Sequence, residues 1–218
     1  MENNNIEKEL IEIERNINGY TVVLKCESFL KDQGEWLLKL FEEEALELIK
    51  DDFKIQAGFT MFILKEKDGK LHVVAPDYRK NPFEDTNDNI SLPLILQLQQ
   101  NDILKKLEIE GDMIAFDDKV IILKDARDSE NLYLERSKQY GKGDSGWYIG
   151  VIDESEGIPK AAKGELNAIP AFEILRFRPD LVKLLSLPKG YLVAIVNNEI
   201  QEIVDGDNRV AYKKMAQE

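Results

Sequence analysis

Two stretches of this chain follow the same order, and that order constrains its fold more than any other feature. The first begins at Leu92-Pro93 and continues through a helical segment that ends in Asp102-Ile103-Leu104-Lys105-Lys106-Leu107. Gly111 follows, then the apolar runs 113–116 and 120–125 around a turn at 117–119. The second begins at Ile169-Pro170 and continues through a helical segment that includes Asp180-Leu181-Val182-Lys183-Leu184-Leu185. Gly190 follows, then 192–195 and 200–205 around Asn197-Asn198. An apolar run precedes each, at 59–64 and 147–152. Breaker, helix, glycine and hairpin, met twice in that order, predict an α+β fold of two related modules in tandem. Each module would carry antiparallel strands and hairpins with helices packed on one face. A chain of 218 residues has room for two such modules, which could bury more apolar surface by pairing. The polar, acidic stretch 125–131 is the best boundary, so the expected modules are 1–126 and 127–218.

The remaining segments follow from spacing and breakers. Ile6, Leu10, Ile13 and Ile17 stand at helical intervals and predict an amphipathic helix over 5–17, ended by Gly19, with a strand over 20–26. A second helix begins near Glu35, with Glu42, Glu43 and Glu44 on its solvated face. Strands over 53–65 and 71–75 flank Lys67-Asp68-Gly69-Lys70, a hairpin signal because Asp-Gly accepts the positive φ of a tight turn. Residues 76–90 form a loop, and 92–107 form a helix with a weak point at Asn101-Asp102. A strand pair is expected over 112–116 and 120–124. The second half offers a strand over 132–137, a glycine-rich loop over 140–146, a strand over 147–152 and a loop over 153–169. Two short helices follow, at 171–177 and 179–185, the latter opened by Pro179. After the hairpin at Asn197-Asn198, the tail beyond Gly206 is expected to fray.

Charge and cysteine use exclude several functions. Lys+Arg 29 against Asp+Glu 42 leaves a net charge of −13. A surface this negative repels phosphate backbones, so no nucleic-acid partner is expected; it favours a basic one, and it also serves solubility by itself. The one cysteine, Cys26, lies in an apolar run and reads as a packed core thiol in a reducing compartment. No basic, apolar leader opens the chain, and no apolar run approaches the roughly 18 residues of a membrane span. A cytoplasmic protein without membrane contact is the expectation.

The most distinctive string is Gly141-Lys142-Gly143-Asp144-Ser145-Gly146-Trp147. A nucleophilic Ser145 would need a histidine base and oxyanion donors. The one histidine, His72, sits in an alternating strand, and a bulky Trp147 follows Gly146. A phosphate cradle over 141–146, with Lys142 beside it, would need a following helix, whereas a strand follows. A nucleotide or small-molecule regulatory module built on this loop stays open as the alternative. The third reading is a turn fixed by Asp144 and Ser145, in which Trp147 either anchors the loop in the core or meets a partner. The carboxylates Asp85/Asp88, Asp117/Asp118 and Asp153/Glu154/Glu156 lack the register of a calcium loop, and no Cys/His cluster could hold zinc. No catalytic residue, metal or cofactor is expected.

Residues 132–205 resemble a bacterial family first known only as a domain of unknown function and later assigned to the immunity proteins of polymorphic toxin systems, immunity family thirty-three. The resemblance rests on Asp144-Ser145-Gly146-Trp147, on the strand after it, and on Arg178-Pro179-Asp180-Leu181-Val182-Lys183-Leu184-Leu185 leading to Pro188-Lys189-Gly190. Glu135-Arg136-Ser137-Lys138 is a loose version of the family's basic, Arg-containing strand. The resemblance implies a non-catalytic protein that binds and neutralises a cognate toxin. It points to Asp144, Ser145, Gly146 and Trp147 as the motif or partner-binding residues.

Overall fold

Alternating side chains and turn chemistry build the first of two sheets. The computed structural model describes residues 9–45, 48–153, 160–161 and 164–215. Strands β1 (Leu10–Ile17) and β2 (Tyr20–Glu27) form a hairpin closed by Asn18-Gly19, with φ of 50° and 83°. The expected helix over 5–17 is therefore corrected to a strand from Leu10 onward, and residues 5–8 lie outside those described. Ile13 and Ile17 fit periods of 3.6 and of two alike. Ile11 before them and Arg15 between them, both half-buried, settle the period at two.

Helix α1 (Lys31–Ala45) packs on β1 and β2 and buries Leu37, Leu38 and Phe41 with Ile13, Ile17, Val22 and Leu24. Its solvent side carries Glu42 and Glu43, and Arg15 of β1 bonds Glu35 at 2.6 Å. Strands β3 (Lys54–Ala57), β4 (Thr60–Lys67), β5 (Lys70–Pro76) and β6 (Thr86–Asn87) complete the sheet in the order β1-β2-β5-β4-β3, with β6 on β5. The single strand expected over 53–65 is two, because Gly58 at φ 61° turns the chain back. Asp68-Gly69 closes the β4–β5 hairpin with φ of 54° and 75°. His72 occupies a strand position on β5, opposite Lys65 and Val23.

Helix α2 (Ser91–Leu107) starts where the Asn89 carboxamide accepts from the Ser91 amide at 3.1 Å, and it runs unbroken through Asn101-Asp102. The chain divides into compact units inside this helix, Met1–Gln99 and Gln100–Glu218.

The second unit holds β7 (Lys119–Leu123), β8 (Leu132–Arg136), β9 (Asp144–Asp153), β10 (Lys160–Ala161) and β11 (Leu166–Pro170). After the short helix α3 (Ile174–Phe177) come β12 (Leu192–Val196), β13 (Glu199–Val204) and β14 (Val210–Lys213). The sheet order is β11-β7-β9-β8-β12-β13-β14, with β10 on β9. Tight helical turns at Ala171–Glu173 and Pro179–Ser186 flank α3.

Four sequence expectations change here. Residues 112–116 form no strand; β7 pairs antiparallel with β11 and parallel with β9, so the first expected hairpin is replaced by long-range partners. Helix, glycine and hairpin in that order are met at 169–204 alone of the two stretches. The tail expected to fray forms β14, because Asp205 Oδ1 accepts from the amides of Asp207 and Arg209 and turns the chain back. The polar stretch 125–131 connects β7 to β8 within one sheet, so the compact units part at 99/100 rather than at 126/127. Both sheets, with their helices, make an α+β protein.

Cys26 lies in the first core, and burial, aided by the charge of Glu27, pushes its thiol above the ordinary range. At pH 8 it should react with a disulfide reagent at least about tenfold more slowly in the native protein than in urea. Absorbance of the released thiolate measures this. Equal rates would mean that the first core opens readily.

Candidate functional site

The motif Asp144-Ser145-Gly146-Trp147 opens β9, and each of its residues is held by a different local force. Asp144 Oδ1 accepts from the Gly146 amide at 2.8 Å, which closes an Asx turn. Ser145 is fully buried; its hydroxyl donates to the Lys119 carbonyl at 2.6 Å and accepts from the Trp147 amide at 3.1 Å. That pair of bonds stitches β9 to β7 where their register slips between Lys119 and Ile121. Gly146 has φ 74°, and a side chain there would run into the Tyr140 ring, which lies against its Cα. Glycine is required at this position on both counts.

Trp147 is 1% exposed, and its indole N–H donates to the Leu185 carbonyl at 3.1 Å. The structure places it in the core as the anchor of the loop. A buried tryptophan needs such a partner for its polar edge.

Opposite Trp147 on β8 stands Arg136, also 1% exposed. Its Nε donates to the Ser145 carbonyl at 3.1 Å, and its Nη1 donates to the carbonyls of Asp112 and of Leu187, the latter at 2.5 Å. Nη2 donates to the Tyr140 hydroxyl at 2.8 Å, and that hydroxyl donates to Asp112 Oδ2 at 3.1 Å. The Asp112 carboxylate lies 3.6 Å from Nη2 and balances the buried charge. The guanidinium also sits 5.4 Å from the Tyr140 ring centre and 5.8 Å from that of Trp147. One planar fork thus joins the loops at 112, 140, 145 and 187.

The sequence brought together the four motif residues but undervalued Arg136 and missed Asp112 and Tyr140. A signal for Arg136 was present. In Leu132-Tyr133-Leu134-Glu135-Arg136 the alternate positions 132 and 134 are core leucines, so period two puts Arg136 on the buried face. Nothing in the spacing shows that the carbonyls of Asp112 and Leu187 meet it.

This arrangement holds structure rather than poising chemistry. The Ser145 hydroxyl is committed on both its donor and acceptor sides. The amides of Asp144, Gly146 and Trp147 are spent on Gly141 O, Asp144 Oδ1 and Ser145 Oγ. Among the described residues no three His, Cys, Asp or Glu side chains are grouped to hold a metal ion. Glu154 and Glu156 lie outside the described residues.

Two expectations follow for stability. Arg136→Ala leaves the carbonyls of Asp112, Ser145 and Leu187 without their donor and should cost about 3–5 kcal/mol, and Arg136→Lys should recover little, since an ammonium lacks the fork. Urea denaturation measures both; a loss below 1 kcal/mol would show that water replaces the guanidinium. Gly146→Ala should cost about 1–3 kcal/mol, and part of that loss should vanish in a Tyr140→Ala background, because the ring causes the overlap. A double-mutant cycle with no coupling would mean that the positive φ alone sets the cost.

Among known families, residues 99–206 match the family model described as Imm33-like domain. No curated protein and no solved structure matches the chain. The match begins next to the division of the compact units at Gln99/Gln100 and ends just after β13. It covers the whole Arg136 cluster and the Asp144–Trp147 motif, and it reaches beyond the 132–205 resemblance at both ends. The C-terminal half of this chain, residues 99–206, is an Imm33-like domain, of an immunity-protein family.

Proposed function

We propose that this chain is a non-catalytic immunity protein that acts in the cytoplasm by binding a cognate toxin and blocking it. The observation that carries this reading is the Imm33-like match over residues 99–206. The geometry of the motif supports the non-catalytic part. Ser145 has no free hydroxyl proton to give a base, and the amides of Asp144 and Gly146 are bonded within the loop. That same use of the amides weighs against a nucleotide-binding module on 141–146. The net charge of −13 favours a basic toxin and would speed encounter with it at low salt. No helix among the described residues is long and apolar enough to cross a membrane.

In this reading the motif's residues maintain the shape of the domain and touch no partner, because Ser145 and Trp147 are buried. Inhibition then comes from covering or distorting the toxin, and the chain is not consumed.

The test is co-expression of the full chain with the product of each flanking gene. One flanking product should be toxic alone, harmless with this chain, and retained with it through affinity purification and gel filtration. Failure of every flanking product to be retained would remove the reading. A metabolite or nucleotide that raised the melting temperature would then favour the regulatory module.

A further inference from the structure

The two faces of the second sheet differ in what covers them. On the inner face Leu134, Ile149, Ile122 and Val193 are fully buried, together with Trp147. On the outer face the registers bring one row of residues across six strands: Ile121, Tyr148, Glu135, Leu192, Val204 and Val210. All six are half-buried or exposed, with Val210 at 56%. An apolar row of this length on a sheet face is a binding feature more often than an accident of the surface.

Two details give the face a shape. The Tyr133 and Tyr148 rings lie 5.5 Å apart between centres, and Tyr133 covers Gly150, where a side chain would collide with it. Beside this pair is an open recess of about 480 Å³, lined by Glu135, Ser137, Tyr148 and Asn208. Lys138 lies on its rim, with its ammonium donated to the Gly206 carbonyl at 2.5 Å.

The charge on the row is Glu135. It is exposed, and it has no ion-pair partner among the described residues. Any protein that covers the apolar row also removes Glu135 from water. A desolvated carboxylate is tolerated only when the covering surface offers it a cation or strong donors. The only other carboxylate of the neighbouring row, Glu202, already pairs with Lys213 at 3.3 Å.

We propose that this outer face, centred on Glu135 and Tyr148, docks the toxin, and that the toxin meets it with an arginine or lysine set among apolar side chains. This rests on the immunity reading above and names the surface it uses. The tyrosine pair and Leu192 form the apolar centre of the contact, Glu135 selects the cation, and the recess beside Glu135 and Tyr148 admits the partner side chain that carries it. The net charge of −13 attracts a basic partner to the chain, and Glu135 offers it an anion on this face.

The test uses the full chain and the flanking-gene product that wild type retains, titrated by calorimetry. Glu135→Lys should weaken binding by about 100-fold or more and Glu135→Gln by about tenfold, because a desolvated pair is lost in each. Leu192→Ser should also weaken binding, and all three variants should keep the wild-type melting temperature within a few degrees, since the residues pack only partly. Wild-type affinity in Glu135→Lys and Leu192→Ser alike would overturn the docking surface and leave the immunity reading intact. Retention of no flanking product by wild type would remove that reading and the docking surface with it. Sedimentation gives the third outcome: a wild-type dimer that Glu135→Lys dissolves, with toxin affinity unchanged, would assign the face to a second copy of this chain and overturn the proposal.

Discussion

The guanidinium of Arg136 is a charge almost wholly removed from water, and the loops of the second unit are arranged around what that costs. A buried cation is tolerated when every donor is used and an anion is near. Here three backbone carbonyls, one hydroxyl and the Asp112 carboxylate meet that need. The benefit runs the other way as well. The carbonyls of Asp112 and Leu187 belong to segments outside any strand, and unpaired buried carbonyls are rare because they forfeit their bonds to water. Arginine suits the position because its planar fork reaches several acceptors at once, where lysine offers a single point.

Seen from that charge, the Asp144-Ser145-Gly146-Trp147 string has a physical reason for each residue. Asp144 and Ser145 satisfy amides, Gly146 leaves room for Tyr140, and Trp147 fills the core beneath the guanidinium. A short signature of this kind marks how the domain is built. The first unit, with its own sheet and core, lies almost wholly outside the Imm33-like match and adds a second folded body to the chain.

Several elements were legible from residues alone. Asp68-Gly69 and Asn197-Asn198 stood between alternating runs, and both close hairpins at positive φ. Local chemistry decides such turns, so local sequence reports them. The spacing of Ile6, Leu10, Ile13 and Ile17 predicts a helix over 5–17, but Ile13 and Ile17 satisfy both periods, and only pairing with β2 resolves them. The apolar run 120–124 predicts one arm of a local hairpin, yet the partners of β7 are β9 and β11, a parallel strand and an antiparallel one from far along the chain. Pairing over such distances leaves no trace in spacing.

By itself the sequence determined the α+β character, the acidic charge, the buried place of Cys26, the hairpin turns and the Asp144–Trp147 motif. Each of these depends on residue type or on neighbours within a few positions. The tertiary structure alone decided that Trp147 faces inward, that Arg136 collects carbonyls from two loops and the start of β9, and that Glu135 stands in an apolar row spanning six strands. Strand order sets which side chains share a face, and that order is fixed by contacts between residues tens of positions apart.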